Sequence, residues 1–454
     1  MAKRVDLLKD NISISLTKLA LPIMGMSFLQ MAYNLTDIFW IGKLGAGAVA
    51  SVGTGGLLVW LSIGIHTIAQ LGGQVLVGQN LGAGNEKRAG KYAHSSIYLS
   101  VICSVILGLV FVFGVDFFIS FLALNGEEVI KDAKIYIIVC CGFVVFQLLA
   151  KLLTALITTT GNSKTPFIAT TIGLVINMAL DPLFIFGFGF IPPMGVLGAS
   201  IATVFAQIIV ALILVLYCLK DKHLFCYVNM RKLPQFKKCK EILKLSFPTT
   251  IQASLFPLIS MYVSRLIAGY GDNAIAVQRV GSQIESLSWM TTEGFSIAVN
   301  SFIAQNFGAK NIERVKKGFY QALKILSIYG VFVTAILIFG ARPIFAIFIQ
   351  EENVVAMGVD YLVILGFSQV FLCLEILSGN SMNALGKTTV PAIISATTTS
   401  ARIPLAILLS ATFLGLNGIW WAISLTTVVK GLGLAAAVVL LIRKIYNNHD
   451  KALK

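Results

Sequence analysis

Two aspartates sit where a charge is expensive. Asp181 is the one charged residue of INMALDPLFIFGFG, residues 176–189, and Asp37 lies in QMAYNLTDIFWIGKLG, residues 30–45. Asn177 precedes Asp181 by four residues, so on a helix the two share a face. Pro182 follows and removes one backbone donor. Gln30, Tyr33, Asn34 and Asp37 fall at i, i+3, i+4 and i+7, one polar stripe on an apolar helix. In a membrane such a stripe must face protein or a water-filled cavity. Two buried carboxylates titrate as a pair. With neutral oxygens beside them they can hold a proton, coordinate Na⁺ or attract an organic cation. Competition among these for one site is how an exchanger couples ion entry to substrate exit.

The elements that position these residues follow from composition. The chain has 454 residues, 57% hydrophobic and 12% charged, with mean hydropathy +0.86. Soluble domains carry about 25% charged residues. Apolar runs at 97–121, 135–157, 200–219 and 403–416 approach the roughly 20 residues that span a bilayer. The fold class expected is an all-α polytopic membrane protein. The net charge of +15 is concentrated in short connectors, as cytoplasmic loops require, and lacks the aromatic-basic pattern of a nucleic-acid binder. Seven cysteines and four histidines show no metal spacing. No nucleophile-base constellation suggests an enzyme, and no cofactor is expected. The N-terminal MAKRVDLLKDNISISLTKLA lacks the apolar core and small-residue site of a cleaved signal peptide.

The chain repeats itself. KLALP at 18–22 returns as KLSFP at 244–248, and GAGAVA at 45–50 as GDNAIA at 271–276. QNLGAGNEKRAGK at 79–91 returns as QNFGAKNIERVKK at 305–317, with seven of thirteen residues identical. All three pairs are 226 residues apart; GNSKTP at 161–166 and GKTTVP at 386–391 are 225 apart. The division expected is an N-terminal lobe over 1–225, a basic cytoplasmic linker over 226–239 and a C-terminal lobe over 240–454. Each lobe reads as six helices, the first set near 14–41, 52–79, 93–122, 134–157, 166–188 and 196–219. The second set lies near 240–267, 278–305, 319–349, 358–382, 391–413 and 418–442. Basic connectors alternate with acidic or neutral ones such as LNGEEVIKDA and FGFIPPMG. That implies twelve spans in two parallel six-helix repeats with both termini cytoplasmic.

The repeat also tests the aspartates. Asp37 aligns with Val263, Asp181 with Ala406 and Asn177 with Arg402. The second lobe lacks either carboxylate, so the scaffold does not need them and function is their better explanation. Other costly residues are Glu285 and Glu293 on the eighth helix, Glu375 on the tenth, Arg402 on the eleventh and Lys430 on the twelfth. Arg402 is expected to pair with Glu375 or Glu285. His66 is expected to be a hydrogen-bonded helix residue, and Met24, Met26 and Met31 to pack.

LALPIMGMSFLQMAYNLTDIFWIGKLGAGAVAS, VGQNLGAGNEKRA, TTTGNSKTP and INMALDPLFIFGFG resemble the MATE family (multidrug and toxic compound extrusion). The resemblance covers nearly the whole chain. The Asp of the first helix with Asn-x-x-x-Asp-Pro in the fifth is similar to the DinF-like prokaryotic branch. The resemblance implies two six-helix bundles with a central cleft and export of cationic amphiphiles in exchange for H⁺, with Na⁺ as the alternative. It implies an ion site at Tyr33, Asp37, Asn177 and Asp181. The match of GASIAT at 198–203 adds the Thr203 hydroxyl and the Ala199 carbonyl. Na⁺, if used, would take Asp37, Asn177, Asp181 and Thr203. The substrate cavity would include Gln30, Asn34, Asp37 and Asp181, and Pro22 would mark a hinge. The seventh helix lacks the mid-helix acid of the NorM-like pattern, so no Na⁺ site of that kind is expected in the C-terminal lobe. The partners implied are small organic cations and the lipid bilayer of the cell membrane, with the chain acting as a monomer. The alternative function is a flippase for lipid-linked precursors or polysaccharides, from the same broad superfamily. That reading calls for cationic residues in the cleft.

Overall fold

The computed structural model describes residues 5–121, 126–189 and 192–453. The first four residues, Leu122 at the end of the helix expected over 93–122, Ala123, Leu124 and Asn125 of one expected connector, Phe190 and Ile191 of another, and Lys454 lie outside the described residues. The first repeat contains α1 (Ile12–Gly42), α2 (Ala46–Gly82), α3 (Glu86–Phe113), α4 (Val115–Phe121), α5 (Glu127–Tyr136), α6 (Val144–Thr159), α7 (Lys164–Phe186) and α8 (Val196–Lys220). A π-helical turn, Ile137–Cys141, continues α5, and a 3-10 turn, Phe225–Tyr227, lies in the linker. The second repeat contains α9 (Phe236–Ala268), α10 (Asp272–Gly308), α11 (Ile312–Phe339), α12 (Ala341–Ala346), α13 (Glu352–Gly366), α14 (Gln369–Ala384), α15 (Thr389–Ser410) and α16 (Leu416–Leu453).

Nine of these helices are long and apolar enough to cross a membrane, and two bent pairs raise the number to eleven among the described residues. The bent pairs are α5 with α6, at 43°, and α13 with α14, at 46°. The remaining long rod is α10, 37 residues. It fails an apolarity test because it carries Gln278, Arg279, Gln283, Glu285 and Glu293. The chain is an all-α, multi-pass membrane protein built as two repeats.

The repeat extends to the punctuation of the helices. Asn85 caps α3 by accepting from the Arg88 backbone N–H at 3.0 Å, and Asn311 caps α11 by accepting from Arg314 at 3.3 Å. Such caps satisfy donors that the first helical turn cannot. The residue before each cap is left-handed: Gly84 at φ 72° and Lys310 at φ 60°. A single expected helix over 93–122 is divided at Gly114 into α3 and α4, and one over 319–349 is divided at Gly340 into α11 and α12. These glycines are again 226 apart. Gly55 of α2 receives the ring of Tyr136 so closely that a Cβ there would lie 2.2 Å from the ring; Gly281 of α10 receives Tyr361 in the same way, at 2.1 Å.

Two compact units result, each holding most of one repeat. One comprises Leu21–Thr250 with the chain before Leu7; the other comprises Leu7–Ala20 and Ile251–Lys454. The divisions fall inside α1, beside Pro22, and inside α9, close to Pro248, so each of these helices contributes to both units. Lipid is as apolar as leucine, so packing and internal polar bonds hold membrane helices together more than burial does. The first unit packs Leu152, Leu156, Ala169 and Leu214 in its core. It adds buried polar bonds, such as His66 Nε2 with Ser100 Oγ at 2.7 Å and Ser96 Oγ to the Ala69 carbonyl. His66 is thus the hydrogen-bonded helix residue that its surroundings suggest. The second unit centres on Tyr361 and Trp420, whose rings meet edge to face at 5.2 Å. Trp420 Nε1 donates to Gln278 Oε1 at 3.1 Å. The segment before α1 is anchored in this unit, where the Leu7 carbonyl accepts from Asn306 Nδ2 at 3.0 Å and Arg314 Nε at 3.3 Å.

Candidate functional site

The first unit brings five of the sequence-derived residues together. Asn177 and Asp181 share one face of α7, and Asn177 Nδ2 donates to Asp181 Oδ1 at 3.2 Å. Asp181 is 0% exposed and Asn177 1%. From α1, Tyr33 OH shares a hydrogen bond with Thr203 Oγ1 of α8 at 3.3 Å. Asp37 lies one helical turn beyond Tyr33 and is partly buried. The charges of Asp37 and Asp181 act on each other and on Tyr33. The i, i+4 spacing on α7 and α1 therefore converts into a cluster of oxygens from three helices.

Three of those oxygens have no hydrogen-bond partner among the described residues although they are shielded from solvent: Asp37 Oδ1, Asn177 Oδ1 and Asp181 Oδ2. An unpaired buried acceptor loses its hydration with nothing in return, at roughly 1–3 kcal/mol. All three lack a donor or a cation, and none has a surplus of donors. A proton on one carboxylate or a small hard cation among the oxygens would satisfy the set, with the Thr203 hydroxyl as a further neutral ligand. The residues present fit either ion.

Not every residue of the expected stripe joins this cluster. Gln30 Nε2 donates to Asn34 Oδ1 at 3.2 Å, and Asn34 is exposed. Pro22 lies within α1, which continues through it without a break. Two residues the sequence does not single out stand beside the aspartates. Tyr136 and Cys140 come from the end of α5 and the π turn, both are buried, and both feel the charge of Asp37. Cys140 Sγ also approaches the Ser200 carbonyl, at 3.7 Å. A π turn has no signature in residue type, although such turns recur at functional sites. The glycine-tyrosine contact at Gly55 is the one feature that points there.

The second unit arranges its charges differently from the expectation for Arg402. Glu375 Oε1 pairs with Lys430 Nζ at 2.8 Å. Glu285 accepts from Tyr361 OH at 2.8 Å and from Gln369 Nε2 at 2.9 Å. Among the described residues Arg402 has no carboxylate within ion-pair distance. It donates through Nε to Thr426 at 3.1 Å and through a terminal nitrogen to Thr427 at 3.4 Å. Lysine reaches Glu375 from α16, and Tyr361 and Gln369 occupy both oxygens of Glu285. Glu293 accepts from Asn380 Nδ2 at 3.4 Å.

A duplicated helical membrane protein with a buried oxygen cluster in one repeat fits the architecture of a membrane transporter. Comparison with known proteins identifies which kind. The MatE family profile matches residues 22–183 and again 248–408, so the chain belongs to the MATE family. It is 30% identical over 412 residues to a probable multidrug resistance protein NorM of Thermotoga maritima, covering 89% of this chain and 87% of that protein. It is 29% identical over 421 residues to a probable multidrug resistance protein YoeA of Bacillus subtilis, covering 91% and 90%. The fold matches a solved transporter of the MOP superfamily from Pyrococcus furiosus at a TM-score of 0.90. That match has 21% identity and covers 98% of this chain and 99% of the other.

Proposed function

We propose that this protein is a secondary-active exporter of cationic amphiphilic drugs, driven by exchange for H⁺. The observation that carries this reading is the trio of buried, unpartnered acceptors at Asp37, Asn177 and Asp181. The names of the multidrug resistance relatives support drug export. In the ion-free state the carboxylates attract a cation. A proton arriving from outside neutralises one of them, and the drug loses the charge that held it. Tyr33 and Thr203, already bonded to each other, hold α1 against α8 beside the carboxylates. Na⁺ acting in place of H⁺ would occupy the same oxygens. The proton is favoured because α9 supplies no mid-helix acid in the second unit.

Reconstituted vesicles test the reading. A pH gradient imposed without Na⁺ should drive uptake of a fluorescent cation such as ethidium, and a Na⁺ gradient at constant pH should not. Uptake driven by Na⁺ alone would assign the other ion. Uptake indifferent to both gradients would refute an exchange mechanism.

A further inference from the structure

The fifth long helix of each repeat carries a buried charge of a different sign, one turn apart in the alignment: an aspartate in the first repeat and an arginine in the second. Asn177 and Asp181 of α7 correspond to Arg402 and Ala406 of α15. Arg402 is only 7% exposed, on a helix long and apolar enough to cross a membrane. A guanidinium placed there to lock helices together would sit against a carboxylate, because a buried charge without a direct partner is destabilising. Both nearby acids are engaged elsewhere. Glu285 has one oxygen on Tyr361 and the other on Gln369, and Glu375 holds Lys430. Their charges reach Arg402 only from beyond ion-pair distance.

What touches Arg402 is built to aim it. Thr426 and Thr427 donate their hydroxyl hydrogens to the carbonyls of Ala422 and Ile423, at 2.8 and 2.9 Å. Their oxygens are thereby fixed as acceptors for two of the guanidinium's N–H groups. A guanidinium has five such groups in a planar fork, so the others have no bond among the described residues. Lys430, with a side chain only 5% exposed, stands on the same helix as these threonines and also donates to Thr399 of α15 at 3.4 Å. Glu375, bonded through Oε1, leaves Oε2 buried and without a partner among the described residues. The cluster thus offers open donors on Arg402 and one open acceptor on Glu375.

We propose that Arg402, aimed by Thr426 and Thr427, is a seat for the carboxylate of a zwitterionic substrate, with Glu375 Oε2 receiving that substrate's positive end. A planar fork matches a carboxylate in two parallel bonds. Arg402 is then the residue that reads an acid on the exported compound, and the seat rests on the exporter reading above. It is separate from the oxygen cluster of the first unit.

A matched pair of dyes tests it: tetramethylrhodamine, which has a free carboxylate and a delocalised cation, and its methyl ester, a cation only. Affinities are measured by fluorescence polarisation on the purified full-length protein in detergent. Arg402→Gln should weaken binding of the free acid by about tenfold or more, the scale on which a buried charge pair responds to losing one partner. Binding of the ester should stay within about twofold, since the ester has no oxyanion for the fork to read. Arg402→Lys keeps the charge but not the fork and should fall in between. If Arg402→Gln elutes as aggregate, the ratio of acid to ester affinity in Arg402→Lys carries the test. Parallel losses for acid and ester, or an unchanged ratio, would overturn the seat while leaving the exporter reading standing. Failure of the wild-type protein to bind either dye would overturn both.

Discussion

Asp37 and Asp181 each keep one buried oxygen without a partner, and neither has a basic side chain within ion-pair distance, among the described residues. Glu285 has both oxygens bonded, to Tyr361 and Gln369, and Glu375, which also keeps Oε2 bare, is held through Oε1 by Lys430. A carboxylate whose only role was to join helices would have found donors. Asp37→Asn and Asp181→Asn should therefore each abolish ion-driven drug transport while leaving the amount of folded, membrane-inserted protein near wild type. Drug resistance of cells expressing either variant, read beside a blot of the membrane fraction, checks this. The same pair sets a pH dependence. Protonation removes the negative charge that holds a cationic drug, so affinity in detergent without Na⁺ should fall as pH falls, with a midpoint belonging to the pair. In Asp181→Asn the remaining dependence should be weaker. These two residues were legible in the sequence because each is a lone charge in an apolar run. Tyr136 and Cys140 were not, because a tyrosine and a cysteine on an apolar helix carry no sign of the π turn that brings them to the site. The partner of Arg402 was misread for a related reason. Helix periodicity lists which acids lie at a similar depth, but not which of them a lysine or a tyrosine reaches first.

Elements repeat more faithfully than residues do. Caps, breaks and close glycine contacts recur at one offset even where the side chains around them have diverged. The exception is informative: Gly84 and Lys310 occupy equivalent left-handed positions, and only glycine adopts that conformation without steric cost. Lys310→Gly should raise stability by roughly 0.5–1 kcal/mol, the cost of a left-handed side chain less the extra chain entropy of glycine. Gly84→Ala should lower it by about 1 kcal/mol, with no packing effect, because nothing lies within 4 Å of the added methyl. Thermal unfolding of the two variants in detergent should show midpoints displaced in opposite directions. The long apolar rods were readable from composition. The bends within α5 to α6 and α13 to α14 are not, since neither contains proline and the glycines beside the breaks, Gly142 and Gly366, do not differ in type from Gly72 and Gly318, which lie inside unbroken helices. The eighth helix, α10, is readable through its counterpart α2 in the first repeat, since its own acids and glutamines lower its hydropathy.

For the molecule as a whole, duplication is the strongest constraint, and it comes from a constant offset that no local propensity could provide. The family profile, which matches twice at that same offset, rests on the same regularity. Orientation across the membrane rests on a different one, the alternation of basic and acidic connectors. The basic set contains Lys87 and the linker; the other contains Glu128. Positive connectors are retained on the cytoplasmic side, so Lys87 and Glu128, both exposed, should lie on opposite faces. Thiols introduced as Glu128→Cys and Lys87→Cys distinguish the two faces, once the native cysteines other than Cys226 are replaced. Cys226 is exposed in the linker and reports on the face expected to be cytoplasmic. In intact cells a membrane-impermeant maleimide should label Cys at 128 and neither Cys226 nor Cys at 87; after permeabilisation all three should react. Labelling of Cys226 in intact cells would invert the topology. It would then also reverse the direction in which a proton entering at Asp37 and Asp181 releases its drug, because α1 and α7 would run into the membrane from the outside and place both aspartates in the inner half.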